Sequence, residues 1–292
     1  MKNCLNSLIC LLKKHLRTNN QTKVTEMKKV IKSFALKCAV VAHLVILSMV
    51  SGVFGQATVV NNNPNATQIA AGLNANGLVI NNPQIVRGGN NNQIAIFSNG
   101  INGANLGVDA GVLFSTGHAV NELTKKNSSS SSSLQSSVSA QTGTYSDAQL
   151  TNITSNAIYD AVVYTFDITL TGGADALRIA YQFGSEEYPD YVGSVYNDTF
   201  GFFVRRKGTT GEWINMARLP NAAQTVTAIN KVNFGKQGNN YSGTGNGYES
   251  SNSNHYERNG HTTATTSGNP NRLVLNNNPG PFPIHVEYNG LT

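Results

Sequence analysis

Beyond Gly55 the chain contains no cysteine: Cys4, Cys10 and Cys38 all lie in the first 55 residues. Disulfide staples and cysteine-based metal sites are therefore excluded from everything downstream. Charge is nearly as scarce, at 12% of residues, and it is unevenly spread. Nine Lys/Arg and one Glu precede Gln56, whereas the rest of the chain holds 12 Lys/Arg against 14 Asp/Glu. The formal charge of +6 thus belongs to the N-terminal segment, and composition gives no support to a basic groove for nucleic acid.

Signatures of catalysis are missing as well. No Gly-x-Ser-x-Gly elbow, His-x-x-x-His pair, EF-hand pattern or phosphate loop with Lys-Ser/Thr occurs. Long apolar runs are limited to Ala39–Val50, which is short of the roughly 20 residues of a spanning helix. That run follows Met27-Lys28-Lys29, Lys32 and Lys37, and small residues at Val53 and Gly55 stand in cleavage-type spacing. This order is that of a secretory signal. Residues 1–26 read as an upstream extension, 27–55 as a signal peptide and 56–292 as an exported module.

What the chain does have is Asn, Gly, Ser and Thr between short apolar runs. Asn-Gly pairs at Asn76, Asn99, Asn102, Asn246, Asn259 and Asn289 mark tight turns, because both residue types accept positive φ. Between turns lie β-type runs at 77–80, 93–98, 111–115, 161–170, 176–183, 199–206, 212–218 and 225–233. Leu177, Ile179, Tyr181 and Phe183 alternate with Arg178, Ala180 and Gln182, the pattern of a half-buried strand. One helix is predicted over 65–73, capped by Thr67, and a helical turn over 146–150. Residues 121–144, with the Ser128–Ser133 run, and residues 235–271 read as long polar loops. Together these features predict an all-β fold, an antiparallel β-sandwich of jelly-roll type. Trp213, after the 207–211 turn, is assigned to its core.

The densest polar constellation is Gly184-Ser185-Glu186-Glu187-Tyr188-Pro189-Asp190, followed by Asn197-Asp198. Hard cations such as Ca²⁺ take six to eight oxygens from carboxylates, amides and carbonyls. Glu186, Glu187, Asp190, Asn197 and Asp198 offer most of such a shell, with Asp109 as a distant contributor. The plainer reading is a solvated loop whose side chains cap their own turns. Tyr188, Tyr191 and Tyr196 crowd the same loop and suit contact with an extracellular glycan or protein surface. Paired carboxylates also serve glycoside hydrolysis, but Glu186 and Glu187 are neighbours that point apart on an extended segment.

The run Tyr181-Gln182-Phe183-Gly184-Ser185-Glu186-Glu187-Tyr188 and the run Asn197-Asp198-Thr199-Phe200-Gly201-Phe202-Phe203 resemble the paired motifs of the choice-of-anchor L domain. Leu106-Gly107-Val108-Asp109-Ala110-Gly111-Val112-Leu113-Phe114-Ser115-Thr116-Gly117 is similar to a third motif upstream. The resemblance covers roughly residues 65–292. It implies a secreted or cell-surface protein, many relatives being Bacteroidetes-type, and further strands beyond Thr292. The expectation is a non-catalytic binding and adhesion module, stabilised by calcium and without nucleic acid or a mature membrane span. A hydrolase acting through loop carboxylates and a matrix protein without a discrete ligand are the alternatives.

Overall fold

The computed structural model describes residues 56–88, 92–124, 146–185, 187–221, 223–243, 247–258, 263–266, 269–275 and 286–291, all within a compact unit spanning Phe54–Thr292. The expected N-terminal signal and upstream extension lie outside the described residues, as does most of the 121–144 segment.

Strands dominate, and they form six small sheets. β1 (Thr58–Asn62), β3 (Ile94–Ser98) and β4 (Gly111–Phe114) make one, with β3 in the middle. β2 (Leu78–Arg87) and β5 (Val163–Leu170) form a long ribbon. β6 (Ala180–Gly184) pairs with β14 (Val286–Leu291), β7 (Thr199–Phe200) with β10 (Thr227–Ala228), and β8 (Phe203–Val204) with β9 (Ile214–Asn215). β11 (Gln237–Gly238), β13 (Asn269–Leu275) and β12 (Thr263–Thr266) complete the set. Every ladder is antiparallel except β11–β13. The all-β, antiparallel expectation holds, with the strands dispersed over small ladders.

Among the described residues, four short helices fill the connections: α1 (Ala66–Gly72), α2 (Gly100–Ala104), α3 (Ala119–Thr124) and α4 (Ala148–Ile153). α1 starts two residues earlier than a Thr67 cap would allow. Asn65 is its N-cap, and its side chain and that of Gln68 exchange hydrogen bonds with each other's backbone N–H at 2.9 Å.

The β2–β5 ribbon shows how sequence sets register. Pro83 cannot donate to the ladder, and the pairing shifts between Asn81 and Gln84, on either side of it. The alternation read for β6 is real: Tyr181 and Phe183 are buried, and Arg178 and Ala180 are exposed. Each buried ring enters a different cluster. Tyr181 joins Ala217, Leu219 and Val232, with the Phe200 ring 5.0 Å away. Phe183 joins Tyr188, Val192 and Ile229. A separate cluster, with Ala57, Ala95, Phe97, Leu106, Ala119 and Leu123, lies against β1, β3 and α3.

Three expectations change. The 199–206 run breaks into β7 and β8 around Gly201, over which the Phe203 ring lies so closely that a Cβ would come within 2.3 Å of it. The 225–233 run keeps only β10 before turning, with Lys231 and Val232 N–H both donating to Ala228 O. Residues 235–271 are not one surface loop: they contain β11, β12, the start of β13 and a 3-10 turn at Ser253–His255.

β11 is drawn tightly against the turn after β6. Gly238 N donates to Val192 O at 2.9 Å, and Asn240 N to Asp190 O at 2.8 Å. A Cβ at Gly238 would sit 2.1 Å from Asp190 O. Gly238→Ala is expected to cost about 3 kcal/mol, the upper end of typical overpacking. Chemical denaturation measures this directly, and an unchanged midpoint would contradict the close backbone approach.

Candidate functional site

The acidic segment is a wound turn and not an open hairpin mouth. Tyr191 N donates to Glu187 O and Ser194 N to Tyr191 O, both at 2.9 Å. Tyr188 is its pivot. Its side chain is completely buried, its ring meets Tyr256 edge-on at 5.3 Å, and its hydroxyl donates to the carbonyls of Val232 and Ile229. Tyr188 is therefore a core residue, removed from the recognition surface that the sequence suggested for it.

Buried asparagines clamp the other side. Asn230 Oδ1 accepts from Gly193 N at 2.6 Å, and its Nδ2 donates to Ser194 O at 3.2 Å. Asn230 N donates to Asn197 Oδ1 at 2.9 Å, and Asn197 Nδ2 donates to Thr154 Oγ1 at 3.0 Å. Asn197 is thus engaged as a structural tie, with its oxygen turned to a backbone N–H instead of the acids.

Asp198, next in sequence, turns to Ser185, whose Oγ donates to its Oδ2 at 2.7 Å. The same Oγ accepts from Glu187 N at 3.2 Å, which ties both ends of the acidic segment to one hydroxyl. Glu187 from the turn and Glu122 from α3 approach Asp198 closely enough to feel its charge. Though these residues keep some exposed surface, protein atoms enclose their carboxyl groups. Burial, then the charges of Asp198 and Asp190, pushes Glu187 up to about 8. Burial, then Asp198, pushes Glu122 up to about 7. Burial raises Asp198, against the opposing pull of the Ser185 hydrogen bond.

Sequence reasoning found part of this set. Asp190 and Asp198 lie near enough to Glu187 for their charges to act on it, and Asp190 is buried. Glu186 lies outside the described residues. Asp109 stays with the turn before β4, where its carboxylate accepts from Ile101 N at 3.4 Å, and it is not among the groups found against Asp198. Glu122 was missed, since it precedes the motif by more than sixty residues and sits beside the serine run. Among the described residues, no three His, Cys, Asp or Glu side chains already converge in metal-holding geometry.

Two aromatic features face outward. Tyr196 is 58% exposed and meets the half-buried Tyr191 ring edge-on at 5.2 Å. Trp213, expected in the core, is 45% exposed on the β8–β9 ribbon under the Arg205 guanidinium, 4.4 Å from its ring. Beside Tyr196, a cleft of about 270 Å³ is lined by Thr154, Ser155, Asn197, Asn230 and Lys231 among others. It is slightly smaller than the roughly 300 Å³ at which small-molecule pockets begin.

The raised carboxyls fix the sign of a pH effect. An acid whose folded value is raised favours the folded state in its protonated form. In chelator-treated protein, the contribution of Glu187 is full below its ordinary 4.5 and is lost as pH rises through about 8. Glu187→Gln mimics the neutral acid and is expected to flatten that decline. Thermal unfolding on either side of the window tests this; a wild-type melting temperature that rises across it would contradict the enclosure of Glu187.

No curated protein and no solved structure matches the chain. The family model for the choice-of-anchor L domain matches residues 58–278, which include β1 to β13 and the whole acidic turn. Membership points to an extracellular or cell-surface protein, and among the described residues no helix is long and apolar enough to cross a membrane. The chain belongs to the choice-of-anchor L domain family.

Proposed function

We propose that this protein is an exported, non-catalytic surface module that binds an extracellular glycan or protein and whose acidic turn is ordered by calcium. The carrying observation is the enclosed Asp198 carboxyl, tied to Ser185 and felt as a like charge by Glu187 and Glu122. Ionising all three together is unfavourable unless a cation shares the space. The ion pairs among the described residues, Lys207–Asp167 and Lys231–Glu249, involve none of them. A hard divalent ion suits an all-oxygen set from a chain without downstream cysteine. Drawing these acids onto one ion would fix the turn that carries Tyr191 and leads to Tyr196, an exposed pair of the kind that anchors recognition.

The hydrolase reading gains one supporting fact, since a carboxyl raised to about 8 is the state of a general acid. Against it, the acids do not line the cleft beside Tyr196. Turnover on polysaccharides that Glu187→Gln abolishes would favour that reading over the binding module.

Calcium at a hundredfold excess over its Kd is expected to add about 2.7 kcal/mol to stability. Asp198→Asn or Glu187→Gln should remove that gain, and thermal unfolding in calcium and then in EDTA measures it. Identical melting curves in both would sink the metal proposal. Tyr196→Ser is expected to weaken binding to glycan or cell surfaces about tenfold or more while leaving the melting temperature unchanged. Unaltered binding by that variant would move the recognition surface elsewhere.

A further inference from the structure

A second polar cluster uses none of the acidic carboxyls and adjoins the acidic turn through Asn230. Lys231 occupies the turn after β10, between the fully buried Asn230 and Val232. Its Nζ donates to Glu249 Oε1 at 2.5 Å. The other oxygen of the same carboxylate, Oε2, accepts from Asn252 Nδ2 at 3.1 Å. One carboxylate therefore bridges an amine and a carboxamide. Neither partner is loosely held. Asn252 is buried, and its Nδ2 also donates to Lys231 O at 2.8 Å. Glu249 is fixed from the backbone side, where its N–H donates to Asn230 O at 2.8 Å.

The carboxamide oxygen is occupied as well. Asn252 Oδ1 accepts from Asn221 Nδ2 at 3.1 Å, and Asn221 is held by Thr225, whose N–H donates to its Oδ1 at 3.0 Å. The cluster thus contains four chemical parts: a nucleophilic amine, a general base touching it, an electrophilic carbon, and a donor on the oxygen where negative charge would develop. An ion pair alone would need only the first two. The lysine and glutamate side chains, 35% and 39% exposed, are partly sheltered from water.

The geometry points to an autocatalytic amide cross-link between Lys231 Nζ and Asn252 Cγ, formed with release of ammonia and catalysed by Glu249. Glu249 Oε1 takes a proton from the Lys231 ammonium, and the freed amine attacks Cγ. The oxygen charge of the tetrahedral intermediate rests on the Asn221 donor. The Cγ–Nδ2 bond then breaks. Both protons lost by Nζ end on Nδ2, relayed by Glu249, so the leaving group departs as ammonium and charge is conserved. No oxidant or cofactor is required. The product ties the turn after β10 to the segment before the 3-10 turn, across a stretch rich in Gly, Asn and Ser, with no cysteine downstream of Gly55 to perform that task.

Intact mass spectrometry of the folded protein is the test, followed by peptide mapping. The wild type should be lighter than its sequence mass by one ammonia and should yield a linked peptide pair joining Lys231 to Asn252. Lys231→Arg keeps a cation beside Glu249 but supplies no amine that can form this amide. It should fold with a wild-type circular dichroism spectrum, lack the linked peptide and recover the full mass. Glu249→Gln should do the same, and if it does not fold, Lys231→Arg decides alone. A wild type at full sequence mass would overturn the proposal. So would an ammonia deficit that persists in Lys231→Arg, which would place the loss in succinimides at the Asn-Gly pairs.

Discussion

Buried asparagine carboxamides standing in for missing ladder hydrogen bonds are the constraint on which the second half of this protein depends. Several strands there are only two residues long, so most backbone groups between Asn197 and Asn233 have no neighbouring strand to pair with. A buried, unpaired N–H or C=O costs about 1–3 kcal/mol, and several of them would exceed the stability of an ordinary domain. Asn215 Oδ1 accepts from Phe202 N and Ala217 N at 3.2 and 3.0 Å. Asn230 serves Gly193 and Ser194, and Asn233 serves Ile229 and Gly235. Asn230 and Asn233 each use both the donor and the acceptor of the carboxamide, which an ionised carboxylate could not supply, whereas Asn215 serves the backbone through its oxygen alone.

The same division of labour separates the acidic turn into scaffold and chemistry. Tyr188 and Asn197 belong to the scaffold, where the hydroxyl and the amide are engaged by backbone or by Thr154. The carboxyls of Glu187 and Asp198 are positioned by that scaffold, through the single Ser185 hydroxyl, without being neutralised by it. Two adjacent residues, Asn197 and Asp198, thus do unlike work: one seals the turn to the core and the other faces the opposing acids.

Much of this was legible in sequence wherever period and turn chemistry acted locally. The alternation through Leu177, Ile179, Tyr181 and Phe183 placed β6, and the family motifs placed the acidic turn. What was hidden depended on distant partners. Tyr188 and Tyr196 are the same residue type in the same loop, yet one fills the space beneath Val232 and the other faces solvent. Glu122 reaches Asp198 only because the fold brings α3 to the acidic turn, and no spacing rule reports that. Trp213 is outside, just before β9, and its ring is met there by the Arg205 guanidinium that follows β8, a contact no local pattern reports. Residues 235–271 looked like loop because their strands are short, polar and paired with one another or with distant partners.

The β2–β5 ribbon has a kinetic side. Leu78 pairs with Leu170 and Val79 with Thr169, so the longest ladder among the described residues joins segments about 90 residues apart. Loop-closure entropy must be met before such a contact stabilises anything, and folds rich in distant pairings form slowly. During synthesis, β2 leaves the ribosome with no partner until Leu170 has followed it. The early half of the ribbon therefore waits, unpaired, for as long as its complementary strand is still being made.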